Sequence, residues 1–344
     1  MRRVTKIAAA GIASAALALS LTACGESSTE AAGKDKGVGL AFDVGGRDDH
    51  SFNEAAARGT DKAEKELGVK SKLMTAKNGE TEADREQRLT SLAEAGFNPV
   101  IGVGFNYGNS INKVAEKFPK TTFAVVDAPS TTKNVYGINF TENEGSYLAG
   151  VAAALKTKTK KVGFIGGVNN ALIQKFQAGF EQGVKDTDPK VKVTAQYLYA
   201  NDDKGFNDPA AAKGKAKGML DSNNDVIYTA AGQSGAGSIE MVAGTKGAWA
   251  IGVDSDQYAQ PGLAKYKDHI LTSVVKNVDV AVYDVIKSVE DGKPLTGTAH
   301  LTLKQQGVKL ATSGGFIDDI KGKLDEAQQK IVKGDVKVSE TPAK

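Results

Sequence analysis

The sequence predicts an α/β protein made of two doubly wound lobes. Three observations carry this expectation. Short apolar runs alternate with longer amphipathic segments about every 30 residues, the pattern of parallel strands covered by helices on both faces. A strand that closes on a glycine turn at Val100–Gly104 is echoed by Val226–Gly232, about 125 residues later. Glycine is abundant (39) and proline scarce (8), which suits many tight strand-to-helix turns.

The elements follow in order. Val38–Phe42 is apolar throughout, as a strand buried on both faces requires, and helical periodicity runs from Phe52 to Leu67. Lys70–Met74 is the next strand, Glu82–Ala95 the next helix, and Val100–Val103 a wholly apolar strand. Ile111–Phe118 repeats the helical spacing, Thr122–Val126 (TFAVV) closes the first half, and Glu144–Leu155 is the helix that leaves it. The second half reads the same way: strands Lys161–Ile165, Val191–Tyr199, Asp225–Ala230, Ala248–Val253 and Ile270–Val275. Helices Leu172–Lys185, Ala210–Asp221, Ser238–Ala243 and Val278–Asp291 lie between and after them. Two such halves hold a ligand between the carboxyl ends of their strands. One large sheet with insertions is the alternative.

The N-terminus carries a different signal. Arg2, Arg3 and Lys6 precede an apolar run from Ile7 to Leu21, too short for a spanning helix, and small residues follow, as in a secretory signal. Cys24 is the only cysteine, at the end of Leu21-Thr22-Ala23-Cys24, a run that resembles the lipobox of bacterial lipoproteins. An ordinary signal peptide with an incidental cysteine is the alternative. The polar stretch after Cys24, up to residue 36, reads as a flexible tether. Without residues 1–23 the 44 basic residues fall to 41, against 41 acidic ones. The mature chain is therefore near neutral, which leaves no electrostatic case for nucleic acid or anionic lipid.

Catalytic constellations are not recognisable. His50, His269 and His300 stand in no metal-binding spacing, and neither a nucleophile elbow nor a phosphate-binding Walker loop occurs. Gly102, Gly104 and Gly108 miss the dinucleotide fingerprint by one position. Asn201-Asp202-Asp203 with Asp208 faintly resembles a calcium loop but lacks its twelfth-position glutamate. The expectation is a binding protein with no cofactor and no metal; a nucleoside hydrolase lacks a nucleophile–base pair to support it.

The polar residues that stand out sit at strand ends. Asp43 ends the first strand, and the loop Gly45–Asn53 (GGRDDHSFN) follows, with Asp48, Asp49, Phe52 and Asn53 in it. Asp127 ends FAVVD, Asp254 ends IGVD, and Lys276 follows LTSVV. Any one of them could be a cap or turn former, but together they project into the same predicted cleft. An aromatic face stacks on a flat base, carboxylates accept hydrogen bonds from vicinal hydroxyls, and an Asn amide matches a base edge. An amino-acid ligand calls for an arginine fork on its carboxylate; beyond the signal only Arg47, Arg58, Arg85 and Arg88 exist, and only Arg47 lies near the loop.

The DDHSFN loop, GVGF followed by VAEKFPKTTFAVVD, and YLAGVAAALKTKTKKVGFIGG resemble the basic membrane protein family of lipoproteins. So do FQAGFEQGV, AAGQSGAG, and IGVDSDQ followed by LTSVVKN. The resemblance runs through Val38–Leu310 in the family's order. It implies a solute-binding component of an ABC importer, similar to purine nucleoside receptor lipoproteins, with a type I periplasmic-binding-protein fold and three crossovers. The implied divisions are a signal at 1–23, a tether at 24–36, one lobe at 37–138 plus 276–296, the other at 139–275 plus 297–334, and a polar tail at 335–344 that reads as frayed. The implied nucleoside contacts are Asp43, Phe52, Asn53 and Asp127 from one lobe, and Gly235, Asp254 and Lys276 from the other. Family members close the base sandwich with a second aromatic; here the equivalent position is Gln233, with Phe176 and Phe206 as candidate replacements. The expected partners are a nucleoside, an ABC permease and, through lipidated Cys24, the outer face of the cell membrane, for a chain acting as a monomer. A sugar or autoinducer binder and a membrane-tethered sensing regulator are the alternatives.

Overall fold

A computed structural model describes residues 36–343. The signal segment, Cys24 and the tether up to residue 35 lie outside the described residues. The first sheet begins with β1 (Val38–Ala41), β2 (Ser71–Met74), β3 (Val100–Val103), β4 (Phe123–Val126) and β5 (Val135–Phe140). Its layers are α1 (Phe52–Leu67), α2 (Glu82–Glu94) and α3 (Gly108–Lys117). β1, β3 and β4 are buried at every position, which is why their sequences are unbroken apolar runs rather than alternating ones.

After Phe140 the chain crosses over through α4 (Glu142–Lys156) and builds a second sheet. Its strands are β6 (Lys161–Val168), β7 (Lys192–Tyr199), β8 (Val226–Ala230), β9 (Trp249–Asp254) and β10 (Ile270–Lys276). α5 (Ala171–Thr187), α6 (Pro209–Asp221) and α7 (Gly235–Ala243) connect them. From Lys276 the chain returns through α8 (Val278–Glu290) to add β11 (Gly297–Leu301) to the first sheet. It then crosses a third time to β12 (Val308–Leu310) and ends near α9 (Lys321–Lys333). Strand orders are β11-β5-β4-β3-β1-β2 and β12-β10-β9-β8-β6-β7. All neighbours are parallel except β12, which runs antiparallel to β10.

The structure departs from the sequence reading in three places. Residues 297–301 were expected in the second lobe, but β11 pairs with β5 from Gly297↔Tyr136 to Leu301↔Phe140, so the last crossing comes after it. β5, β11, β12 and α9 were not foreseen: β5 breaks its apolar run with Tyr136, Gly137 and Asn139, and α9 buries only Leu324 and Ile331. The tail is docked rather than frayed. Val336 and Val338 pack against the core, and Asn143 Nδ2 donates to the Val338 carbonyl at 2.9 Å.

α4 is buried on nearly all sides because it sits between the second sheet, α5 and α9, so its sequence (SYLAGVAAAL) lacks a polar face. The α4–α5 approach is set by glycine: a Cβ at Gly179 runs into the Asn143 carbonyl oxygen. Gly179→Ala is therefore expected to lower stability by roughly 1–3 kcal/mol through overpacking, read as a lower urea midpoint at unchanged m.

Candidate functional site

The carboxyl ends of both sheets face one cavity, as the topology of open α/β sheets dictates. About 540 Å³ of non-atom space lies there, part of it open to solvent. From the first lobe Asp43, Asp49, Phe52, Asn53, Phe105 and Asp127 line it. The second lobe contributes Phe176, Phe206, Gly232, Asp254 and Lys276. The lobes meet around it: Ser51 Oγ donates to Asp254 Oδ2 at 2.7 Å, Ser255 Oγ to the Ser51 carbonyl at 2.6 Å, and Gln257 Nε2 to the His50 carbonyl at 3.0 Å.

The β1–α1 loop positions the first group. Asp49 accepts from the backbone N–H groups of Ser51, Asn53 and Glu54 at 2.8–3.0 Å, so it satisfies the orphan donors of the first turn of α1. Asn53 is equally committed: its Oδ1 accepts from Asp43 N at 3.0 Å, and its Nδ2 donates to the Val44 carbonyl and to Asp49. The amide expected to read a base edge is thus spent on holding the loop. Asp43 Oδ1 accepts from Val44 N at 2.8 Å. Its Oδ2 lies against Gly104, where φ is +113° and a Cβ would collide with the carboxylate. Burial pushes the Asp43 carboxyl up to about 7, the Val44 N–H and Arg85 pulling the other way.

The second group centres on Lys276, which ends β10 and is 1 % exposed. Its Nζ donates to both oxygens of Asp127, at 2.7 and 2.8 Å, and lies 3.1 Å from Glu142 Oε1. The Phe52 and Phe140 ring centroids are each 5.0 Å from it and that of Phe176 is 5.8 Å away, within cation–π range. Burial opposes the ammonium, but Asp127, Glu142 and Asp254 outweigh it and hold Lys276 above an ordinary lysine. Burial raises Asp254 to about 6 against the pull of Lys276 and Ser51. It raises Glu142 to about 7 against Lys276.

Three expected residues are elsewhere. Asp48 is exposed on the loop. Gly235 is buried as the first residue of α7, and Gly232 takes its place on the cavity wall. Gln233 does not line the cavity; its Cβ faces Gly45 of the first lobe. Phe206 and Phe176 supply the second lobe's aromatic surface instead. Sequence reasoning misses Glu142, because the helical period is clear only from Glu144 while α4 begins at Glu142, and Phe105, whose signal is an aromatic directly after the Gly104 turn. Phe105 meets Phe206 edge-on, with centroids 6.3 Å apart and planes at 70°.

The sequence profile of the family described as ABC transporter substrate-binding protein PnrA-like matches residues 36–342. The chain belongs to this family. It is 36% identical to the CD4+ T-cell-stimulating antigen of Listeria innocua, over 94% of this chain and 95% of that one. It is 32% identical to the ABC transporter nucleoside-binding protein BmpA of Lactococcus lactis, over 98% of this chain and 99% of that one. A solved ABC transporter solute-binding protein from Aeropyrum pernix superposes with a TM-score of 0.77 at 28% identity, covering 90% of this chain and 94% of that one. The resemblance read from the sequence motifs and the type I periplasmic-binding-protein architecture are both borne out. Among the described residues no helix is long and apolar enough to cross a membrane.

Proposed function

We propose that this PnrA-like protein is anchored through lipidated Cys24 on the outer face of the cell membrane and delivers a nucleoside, of purine type, to an ABC permease as a monomer. One observation carries the reading: aromatic rings from both lobes, Phe52 on one side and Phe176 with Phe206 on the other, line the same cavity as Asp43, Asp127 and Asp254. Flat faces suit a base, and the carboxylates lining the same cavity suit donors on a base or ribose. The name of the Lactococcus relative, at 32% identity over nearly the full length, supports the same ligand class. Binding between the lobes favours the closed form because only closure brings both sets of contacts to the ligand, and the closed form is what the permease receives.

Isothermal titration of the full-length protein in detergent against inosine, adenosine, cytidine, ribose and galactose tests this. Inosine or adenosine is expected to bind in the micromolar range or tighter, and Phe52→Ala to weaken binding roughly 5- to 100-fold, the loss of one stacked base. Heat from the sugars with none from any nucleoside overturns the ligand assignment.

A further inference from the structure

The cavity's outer wall is held by residues that do not line it. Asp203 and Phe206 are the two ends of one 3-10 turn, Asp203–Phe206, which follows β7. Phe105 and Asn106 begin another, Phe105–Tyr107, which follows β3 in the other lobe. The two turns meet twice. Phe206 lies edge-on to Phe105, and Asp203 Oδ2 accepts from Asn106 Nδ2 at 2.9 Å and from Arg85 Nη2 at 3.1 Å. The pair is largely shielded, with the Arg85 side chain 9% and that of Asp203 24% exposed. The second-lobe turn has little freedom of its own: Asp202 caps it by accepting from Lys204 N at 2.9 Å, and Gly205 is pressed on the backbone of Gly167 in β6. The acidic run that looked faintly like a calcium loop is thereby accounted for, since Asp208 caps α6 by accepting from Ala211 N at 3.0 Å.

We infer that Arg85 and Asn106 of the first lobe and Asp203 of the second form a latch that positions Phe206 over the cavity, so that Asp203 sets the rate of ligand release without touching the ligand. The location fits this role. β7 is the edge strand of the second sheet, at the opposite end of the strand order from β10 and β12, where the chain crosses between lobes. Rotation about those crossings parts the Asp203 contacts, and a shielded, hydrogen-bonded charge pair at such a point acts on the off-rate rather than the on-rate. Asp203 and Arg85 are also close enough to bias the Asp43 carboxyl in opposite directions, so latch and cavity are electrostatically joined.

The inference rests on the reading that ligand lies between the lobes, and its test separates the two. Release of inosine from the full-length protein is followed by stopped flow for Asp203→Asn, Arg85→Gln, the double variant, and the milder Asn106→Ala. Each charge variant is expected to speed release about 10- to 100-fold with association nearly unchanged, Asn106→Ala less, and the double variant to be no faster than the faster single one. Unchanged release, or effects that simply multiply in the double variant, overturns the latch. If the wild type binds no inosine, the ligand assignment fails instead. The latch is then judged by small-angle scattering of the ligand-free proteins: a wild type more compact than the charge variants supports it, and equal radii overturn it.

Discussion

Lys276→Met is expected to destabilise the protein by about 3–5 kcal/mol at pH 8, the cost of leaving buried charge unpaired, and to abolish ligand binding. Methionine fills nearly the same volume, so the effect isolates charge from packing. In the wild type one fully buried ammonium serves Asp127, bonded through both oxygens, and Glu142 at 3.1 Å. Neither Glu142 oxygen has another hydrogen-bond donor in reach. Without the lysine Glu142 can stay buried only by taking up a proton. Glu142 and Asp254 are already raised to about 7 and about 6 with the ammonium in place, and they rise further once it is gone. The deficit should therefore shrink as pH falls toward 5, where the neutral acids dominate, and adding Asp127→Asn to Lys276→Met should recover part of it at pH 8. Urea midpoints of the three proteins at pH 5 and pH 8 decide the matter. A deficit of the same size at both pH values would show that Lys276 acts by packing alone.

Lys276 is legible in the sequence, and the reason is topological. In a doubly wound sheet every strand's carboxyl end opens on one crevice, so Asp43, Asp127, Asp254 and Lys276, each directly after an apolar strand, had to gather once the strands were recognised. Phe52 was legible as an aromatic in a polar loop. What the sequence hid was how each group is used. Asn53 and Asp49 carry the same side-chain types whether they face a ligand or hold a loop; only the hydrogen bonds from Asp43, Ser51 and Glu54 reveal the second use. Glu142 stood outside the expected helix, and its pairing with Lys276 joins two crossovers 134 positions apart in the chain. The strands missed are those where burial is partial: β11 (GTAHL) has no buried position, so its place in the first sheet depends on β5 rather than on its own apolar content.

Asp43→Asn is expected to make the ligand-free protein more stable than wild type at pH 8 by up to about 4 kcal/mol, the product of roughly three pKa units and about 1.4 kcal/mol per unit. Asp43 is buried, and burial raises its carboxyl from 3.8 to about 7, the Val44 N–H and Arg85 offsetting only part of it. Between those values the folded protein holds a proton that the unfolded chain has released. Wild-type stability from this group thus falls as pH rises from about 4 to about 7 and is flat above. Asparagine keeps an oxygen for the Val44 N–H and has no charge to bury, so its curve lacks that fall and the two proteins converge near pH 4. Ligand affinity should run the opposite way. A donor N–H or O–H on the ligand pairs with the Asp43 anion and lowers its pKa, so binding releases a proton and tightens as pH rises through 7. The variant, with no proton to release, should bind weakly at every pH. Titrations in buffers of different ionisation enthalpy measure that proton directly. Equal proton release by wild type and Asp43→Asn, or a wild type that outlasts the variant in urea at pH 8, would mean that this carboxyl is satisfied from within the protein.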